Sequence, residues 1–256
     1  MDWRLRRPSI PVVDVALRAR RDSLIAARSS SERRASIASF KELAPGFKYP
    51  VLEHIVMFKV KDDANPKEVA TMLEAIRGLR KLDGVQELTV GQALSVQGGD
   101  YTHVLHGRYR DKKALAAFTA NPDFAKIAKK FLVPLTENMV TVDWECKPYG
   151  PYLESIMAKR ITLVKIKEGT SSADLRFMEE SIPRLPSKCP TIGQASAGTL
   201  FPSDKAKGFN YGILELFPST EDEEEVFASV EHIAWQDTKL RPIAGSLLLA
   251  DFHANV

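Results

Sequence analysis

Several residue types and patterns are scarce in this sequence, and each scarcity narrows what the chain does. There are only two cysteines, Cys146 and Cys189, with no partner at metal-ligand spacing. They supply neither a disulfide framework nor a zinc site, and they fit a reducing compartment or carry no information about one. No apolar run approaches the roughly 18 to 20 residues that a membrane-spanning helix needs. The sequence therefore predicts a soluble protein with no membrane partner. G-x-G-x-x-G, P-loop, H-E-x-x-H and nucleophile-elbow patterns are all missing, so nothing points to a nucleotide, a metal or a serine nucleophile. The expected cofactor and metal content is none.

Charge of one sign is scarce overall but not locally. The net charge is +3, yet residues 1 to 40 hold nine Arg, no Lys and four acids. The basic excess belongs to this arm, which is rich in Arg and Ser and lacks the continuous apolar stretch of a secretory signal. Residues 1–48 read as an organelle transit peptide or as a disordered basic extension. Asp2, Asp14, Asp22 and Glu32 weigh against transit, because such peptides are usually poor in acids. The first reading places the protein in a chloroplast or another organelle, the second in the cytoplasm. The arm has no interleaved aromatics, and no nucleic-acid partner is expected.

What the chain does contain is a repeat, the feature to seek first because missing it misassigns the fold. HIVMFKVK from His54 matches RITLVKIK from Arg160 at an offset of 106. YTHVLHGRY from Tyr101 matches FNYGILELF from Phe209 at an offset of 108, as Pro134 matches Pro242 and TVDWE from Thr141 matches LADFH from Leu249. The two additional residues must lie between the first helix and the third strand of the second copy, where a loop absorbs them cheaply.

Each copy reads as strand, helix, strand, strand, helix, strand. In the first, Asn65-Pro66-Lys67-Glu68 supplies an N-cap, a first-turn proline and an acid. Val69, Met72, Leu73, Ile76 and Leu79 then recur on one helical face. Val85–Ala93 and Tyr101–Tyr109 read as strands around the Gly98-Gly99 turn, residues 111–130 as one helical region, and Met139–Glu145 as the closing strand. In the second copy, Ser171 or Ser172 caps a helix carrying Leu175, Met178 and Ile182. The acidic run Glu221–Glu225 after Thr220 reads as a helix N-terminus, where negative charge is favourable, rather than as a metal site. The predicted domains are 49–147 and 155–256, joined by a linker over 148–154 that contains Pro148, Gly150 and Pro151.

The expected fold class is α+β. Each βαββαβ unit is ferredoxin-like, and a sheet with helices on one face must bury the other, so two units should close into one dimeric-type α/β barrel within the chain. That makes the chain a monomer with intramolecular domain pairing.

HIVMFKVK, YTHVL, NPDF and VDWE, in that order and spacing, resemble the stress-responsive α/β-barrel (Dabb) family, and the tandem arrangement is similar to its two-domain plant members. The resemblance implies a half-barrel that usually has no assigned reaction, with a pocket between helix and sheet. Some members hold a structural cation on main-chain carbonyls, here about Gly78–Asp83. One branch of similar fold cyclises polyketides with a Tyr and a His on the second helix. Those positions here are Phe118 and Phe124, neither of which moves a proton, so no catalytic residue is assigned and polyketide cyclisation is not expected. His54 and His103 match strand positions that line the pocket in that branch, with Tyr101 nearby. The second copy offers Tyr211, His232 and Trp235. These eight residues are the candidate pocket. The expected function is a stress-response protein that is non-catalytic and binds a small apolar molecule. The alternative is a cofactor-free cyclase- or isomerase-like enzyme using a pocket histidine.

Overall fold

The apolar alternation of the first matched segment becomes β1 (Val51–Val60), whose residues divide strictly between two faces. Ile55 and Met57 point into the centre of the molecule, while Leu52, Val56 and Phe58 point outward under helices. The computed structural model describes residues 49–150 and 156–253. The expectations for the arm over 1–48, and for residues 151–154 of the linker expected over 148–154, fall outside the described residues.

Asn65 caps α1 (Pro66–Gly78), its side chain accepting from the Lys67 amide at 2.9 Å. Met72, Ile76 and Leu79 are buried against the sheet, with Val69 and Leu73 beside them. Gly84, at φ +81°, turns the chain into β2 (Val85–Gln97). That left-handed conformation suits glycine. β3 (His103–Tyr109) follows. The helical region expected over 111–130 is two helices, α2 (Lys112–Thr119) and α3 (Pro122–Ile127). Asn121-Pro122 divides them, since proline disfavours the helical conformation in the residue before it. Asn121 then caps the new helix, accepting from Asp123 at 2.8 Å. A wide turn over Ala128–Leu132 leads to β4 (Thr136–Cys146).

The second unit repeats the order with β5 (Ala158–Ile166), α4 (Ser172–Glu179), α5 (Leu185–Lys188), β6 (Gln194–Thr199), β7 (Tyr211–Phe217), α6 (Thr220–Ala228), α7 (Val230–Trp235) and β8 (Ala244–His253). Ser171 caps α4. Ser219, one residue before the expected Thr220, caps α6. Thr89 stands opposite His106 and Ser196 opposite Leu214, so the repeat offset is 107 on the second strand. The two additional residues therefore enter one on each side of β6.

All eight strands form one antiparallel sheet in the order β4-β1-β3-β2-β8-β5-β7-β6. The units join where Ala93–Gln97 pairs with Leu249–Phe252. This explains why β2 runs past its expected end at Ala93: the continuation finds a partner in the other unit. The outer strands also meet. Tyr149, just beyond β4, exchanges hydrogen bonds with Ala195 of β6 at 2.7 and 2.8 Å, and the Phe201 amide donates to the Asp143 carbonyl at 2.9 Å. The sheet thus closes around an interior that includes Ile55, Met57, Val142, Trp144, Ile161, Leu214 and Phe252. Gly212 permits Trp144 to lie there, since a Cβ would come within 2.9 Å of its ring.

One end of this interior is charged. Glu53 accepts from Arg108 Nη2 at 2.6 Å, pairs with His106 Nε2 at 2.8 Å and accepts from Ser196 Oγ at 3.0 Å. Arg108 also donates to Gln194 at 2.8 Å. Lys159 ion-pairs with Glu87 and donates to Thr89 Oγ1 at 2.8 Å and to His106 Nδ1 at 2.9 Å. Burial alone would raise the Glu53 carboxyl, but Arg108 and His106 more than offset it and hold the group far below its ordinary range. Burial, and then Lys159, push His106 down, so it is a neutral ring that gives one proton to Glu53 and accepts one from Lys159. Glu53 and Lys159 occupy equivalent positions in the two units, and each reaches across into the other unit.

Candidate functional site

A cleft with a cavity volume of about 650 Å³ opens between the sheet and the second helical region of the first unit. Leu52, His54, Val56 and Phe58 of β1, Leu105 of β3, and Met139, Thr141 and Asp143 of β4 form its floor. Leu115, Ala116, Phe118 and Thr119 of α2 and Phe124 of α3 form its roof. Even-numbered positions of β1 reach the floor because alternation turns them away from the barrel interior.

The polar feature of the floor is a pair. His54 stands directly opposite Asp143 in the β1–β4 register, and its Nδ1 lies 2.6 Å from Asp143 Oδ1. With Asp143 accepting, the Nδ1 proton is fixed and Nε2 carries the free lone pair. Among the described residues nothing partners Nε2. Tyr109 meets the imidazole edge-on at 6.1 Å, Phe118 packs on Tyr109 at 5.2 Å, and Phe124 packs on Phe118 at 5.2 Å. Burial, aided by the Asp143 charge, pushes the Tyr109 phenol well above its ordinary value, so it stays protonated. The chemistry available is a hydrogen bond from an oriented imidazole inside an apolar enclosure.

The structure gathers three of the eight expected residues, His54, Phe118 and Phe124, around this cleft. His103 lies outside the lining: it stacks parallel on Phe58 at 5.4 Å and contacts Thr102 Oγ1 at 2.9 Å, and burial lowers its basicity. Tyr101 belongs to the barrel interior, on the other side of the sheet. Tyr211, His232 and Trp235 lie under the helices of the second unit. There His232 is buried, with Nε2 3.1 Å from Glu215, and Phe227 and Trp235 flank its ring. Trp235 donates to Ser181 Oγ at 2.7 Å and lines a smaller groove of about 340 Å³ with Phe177 and Leu185.

Sequence reasoning missed Asp143 and the second unit's contribution to the first unit's cleft, Phe201, Ser203 and Lys205. Asp143 left a signal: the repeat aligns it with Asp251. Arg160, the counterpart of His54, pairs with that second aspartate through two bonds of 2.5 and 2.7 Å. The position is a cross-strand pair in both units, ionic in one and His-carboxylate in the other. Phe201, Ser203 and Lys205 stand where the first unit continues β2 but do not keep its strand pattern, and they left no signal. Among the described residues no group of three or more His, Cys, Asp or Glu is placed to hold a metal, and no helix is long and apolar enough to cross a membrane.

Two βαββαβ units sharing one closed sheet, helices outside, with a cleft under the first unit's helices, define a tandem ferredoxin-like α/β barrel. The chain belongs to the stress-responsive A/B barrel domain (Dabb) family, whose sequence profile matches residues 52–146 and again 158–254. It is 30% identical over 207 residues to a stress-response A/B barrel domain-containing protein of Arabidopsis thaliana, covering 79% of this chain and 78% of that one. To a second stress-response A/B barrel domain-containing protein of the same plant it is 31% identical over 212 residues, covering 79% and 96%. Among solved structures it resembles a candidate monooxygenase from Lactobacillus acidophilus, with a TM-score of 0.57 at 10% identity over 81% of this chain and 95% of that one. An anthrone oxidase-like protein gives 0.56 at 10% identity over 83% and 97%. At such identities the likeness concerns fold alone.

Proposed function

We propose that this stress-response barrel protein binds a small apolar molecule in the cleft of its first unit, without transforming it. The observation that carries this reading is the cleft itself: about 650 Å³, floored and roofed by aliphatic and phenyl side chains, with one oriented imidazole. Ligand sites are typically concave and apolar with few polar groups, within roughly 300–1,000 Å³. Phe118 and Phe124 add apolar surface and no proton donor, which favours binding over chemistry. The test is uptake of an uncharged environment-sensitive dye by the full-length protein and by Ala116→Trp, which fills the cleft from α2. Saturable binding to the wild type that is lost in the variant supports the reading. Equal behaviour of the two proteins rejects it.

A second reading is a cofactor-free acid–base enzyme on the same site, and one observation favours it. Asp143 fixes the His54 tautomer, so Nε2 is left as a base of defined direction. Turnover of any substrate that is abolished by both His54→Ala and Asp143→Ala would establish it.

A further inference from the structure

We infer that the cleft selects apolar molecules bearing an anionic group, and that the second unit builds the wall that does the selecting; this rests on reading the cleft as a ligand site. The two units treat equivalent strands differently. β2 continues through Ala93–Gln97 to pair with β8, but β6 ends at Thr199. Pro202 explains the departure, because it has no N–H to continue a ladder. The chain instead turns through Asp204–Ala206, with Ser203 accepting from the Lys205 amide at 3.2 Å. The Phe201 amide is tied to the Asp143 carbonyl at 2.9 Å. Phe201, Ser203 and Lys205 are thereby laid across the mouth of the other unit's cleft.

Two ammonium groups reach that mouth. Lys112, at the start of α2, holds its Nζ 3.8 Å from the centre of the Phe201 ring, and Lys205 lines the same opening. Among the described residues neither amine has a carboxylate within ion-pairing distance, and the one lining carboxylate, Asp143, is engaged by His54. A concave apolar site with cations of one sign at its rim concentrates anions. At the position of the second unit that corresponds to His54, the cation is already occupied: Arg160 is neutralised by Asp251, and Phe227 covers its guanidinium at 3.2 Å. The ligand class is thus an apolar body that fills the cleft, with a carboxylate, sulfonate or phosphate held between Lys112 and Lys205.

Two dyes sharing one apolar body separate the possibilities in full-length protein: anilinonaphthalene sulfonate, an anion, and phenylnaphthylamine, which is uncharged. The anion should bind the more tightly. Replacing both lysines (Lys112→Ala with Lys205→Ala) should weaken it by about tenfold, the product of two exposed charge contacts, and leave the uncharged dye unchanged. Ala116→Trp should exclude both. If the uncharged dye binds, is excluded by Ala116→Trp, and the anion gains nothing from the lysines, the inference fails while the ligand site stands. If neither dye binds, or Ala116→Trp excludes neither, the ligand-site reading fails and this inference with it.

Discussion

His54 and Asp143 face each other across β1 and β4, Nδ1 to Oδ1 at 2.6 Å, and Arg160 and Asp251 repeat the arrangement across β5 and β8. One cross-strand position has therefore diverged into two uses. The arginine fork satisfies both aspartate oxygens and lies under Phe227, whereas the shorter imidazole leaves space above it. A double-mutant cycle on His54→Ala and Asp143→Ala, followed by urea unfolding, should give a coupling of about 0.5–1.5 kcal/mol. Additive effects would mean that the two side chains do not pair.

The interior ion network predicts a large cost for removing one member. Lys159→Met leaves Glu87 without its buried counter-ion and should destabilise by about 3 kcal/mol, a fall in Tm of roughly 6–12 °C. Adding Glu87→Met removes the stranded charge and should restore most of the loss, since replacing a whole buried pair with apolar groups is often neutral. A double variant less stable than Lys159→Met would contradict the pairing.

Glu223 predicts a pH effect with a definite sign. Burial, and then the Asp251 charge, push its carboxyl up to about 8 from an ordinary value of 4.5, against a smaller opposing pull from Arg160. Glu215 and Glu224 add further repulsion. Below 4.5 the group is protonated in both folded and unfolded chains. Between 4.5 and 8 only the folded chain keeps the proton, so stability falls as pH rises through that window and levels off above it. Glu223→Gln, neutral at every pH, should match the wild type near pH 5 and gain on it steadily towards about pH 8. Thermal melting at several pH values checks this, and parallel curves for the two proteins would refute the assignment.

The shared sheet predicts a monomer. Ala93–Gln97 already has Leu249–Phe252 as its partner, and a tether supplies an effective concentration of roughly millimolar, above the micromolar level of a second chain. The buried charges agree: Glu53 and Lys159 stand at equivalent positions with opposite sign, so pairing two first units would bring their acids together without Lys159. Sedimentation equilibrium at micromolar protein should return the mass of one chain. A concentration-independent dimer would overturn the expectation.

Much of this architecture is local, and the sequence alone determined it. The period-2 alternation of HIVMFKVK assigned residues to faces, Asn65-Pro66 opened α1, and the repeat offsets placed two units in register. Those signals depend on dihedral preferences and side-chain direction, which act over a few residues. What they leave open is which strand lies beside which. His54 and Asp143 are 89 residues apart and meet only because β1 pairs with β4. Glu53 meets Arg108 and His106 on β3 of its own unit and Ser196 of the other, while Lys159 reaches Glu87, Thr89 and His106 of the first unit, and each of these contacts depends on strand pairing or barrel closure. Phe201, Ser203 and Lys205 carry no pattern of their own; Pro202 ends a ladder, and only the closed sheet decides that the released chain falls across the first unit's cleft. The tertiary structure settled these relations because a strand's neighbours are set by how two sheets bury their apolar faces together, a condition that no single segment contains.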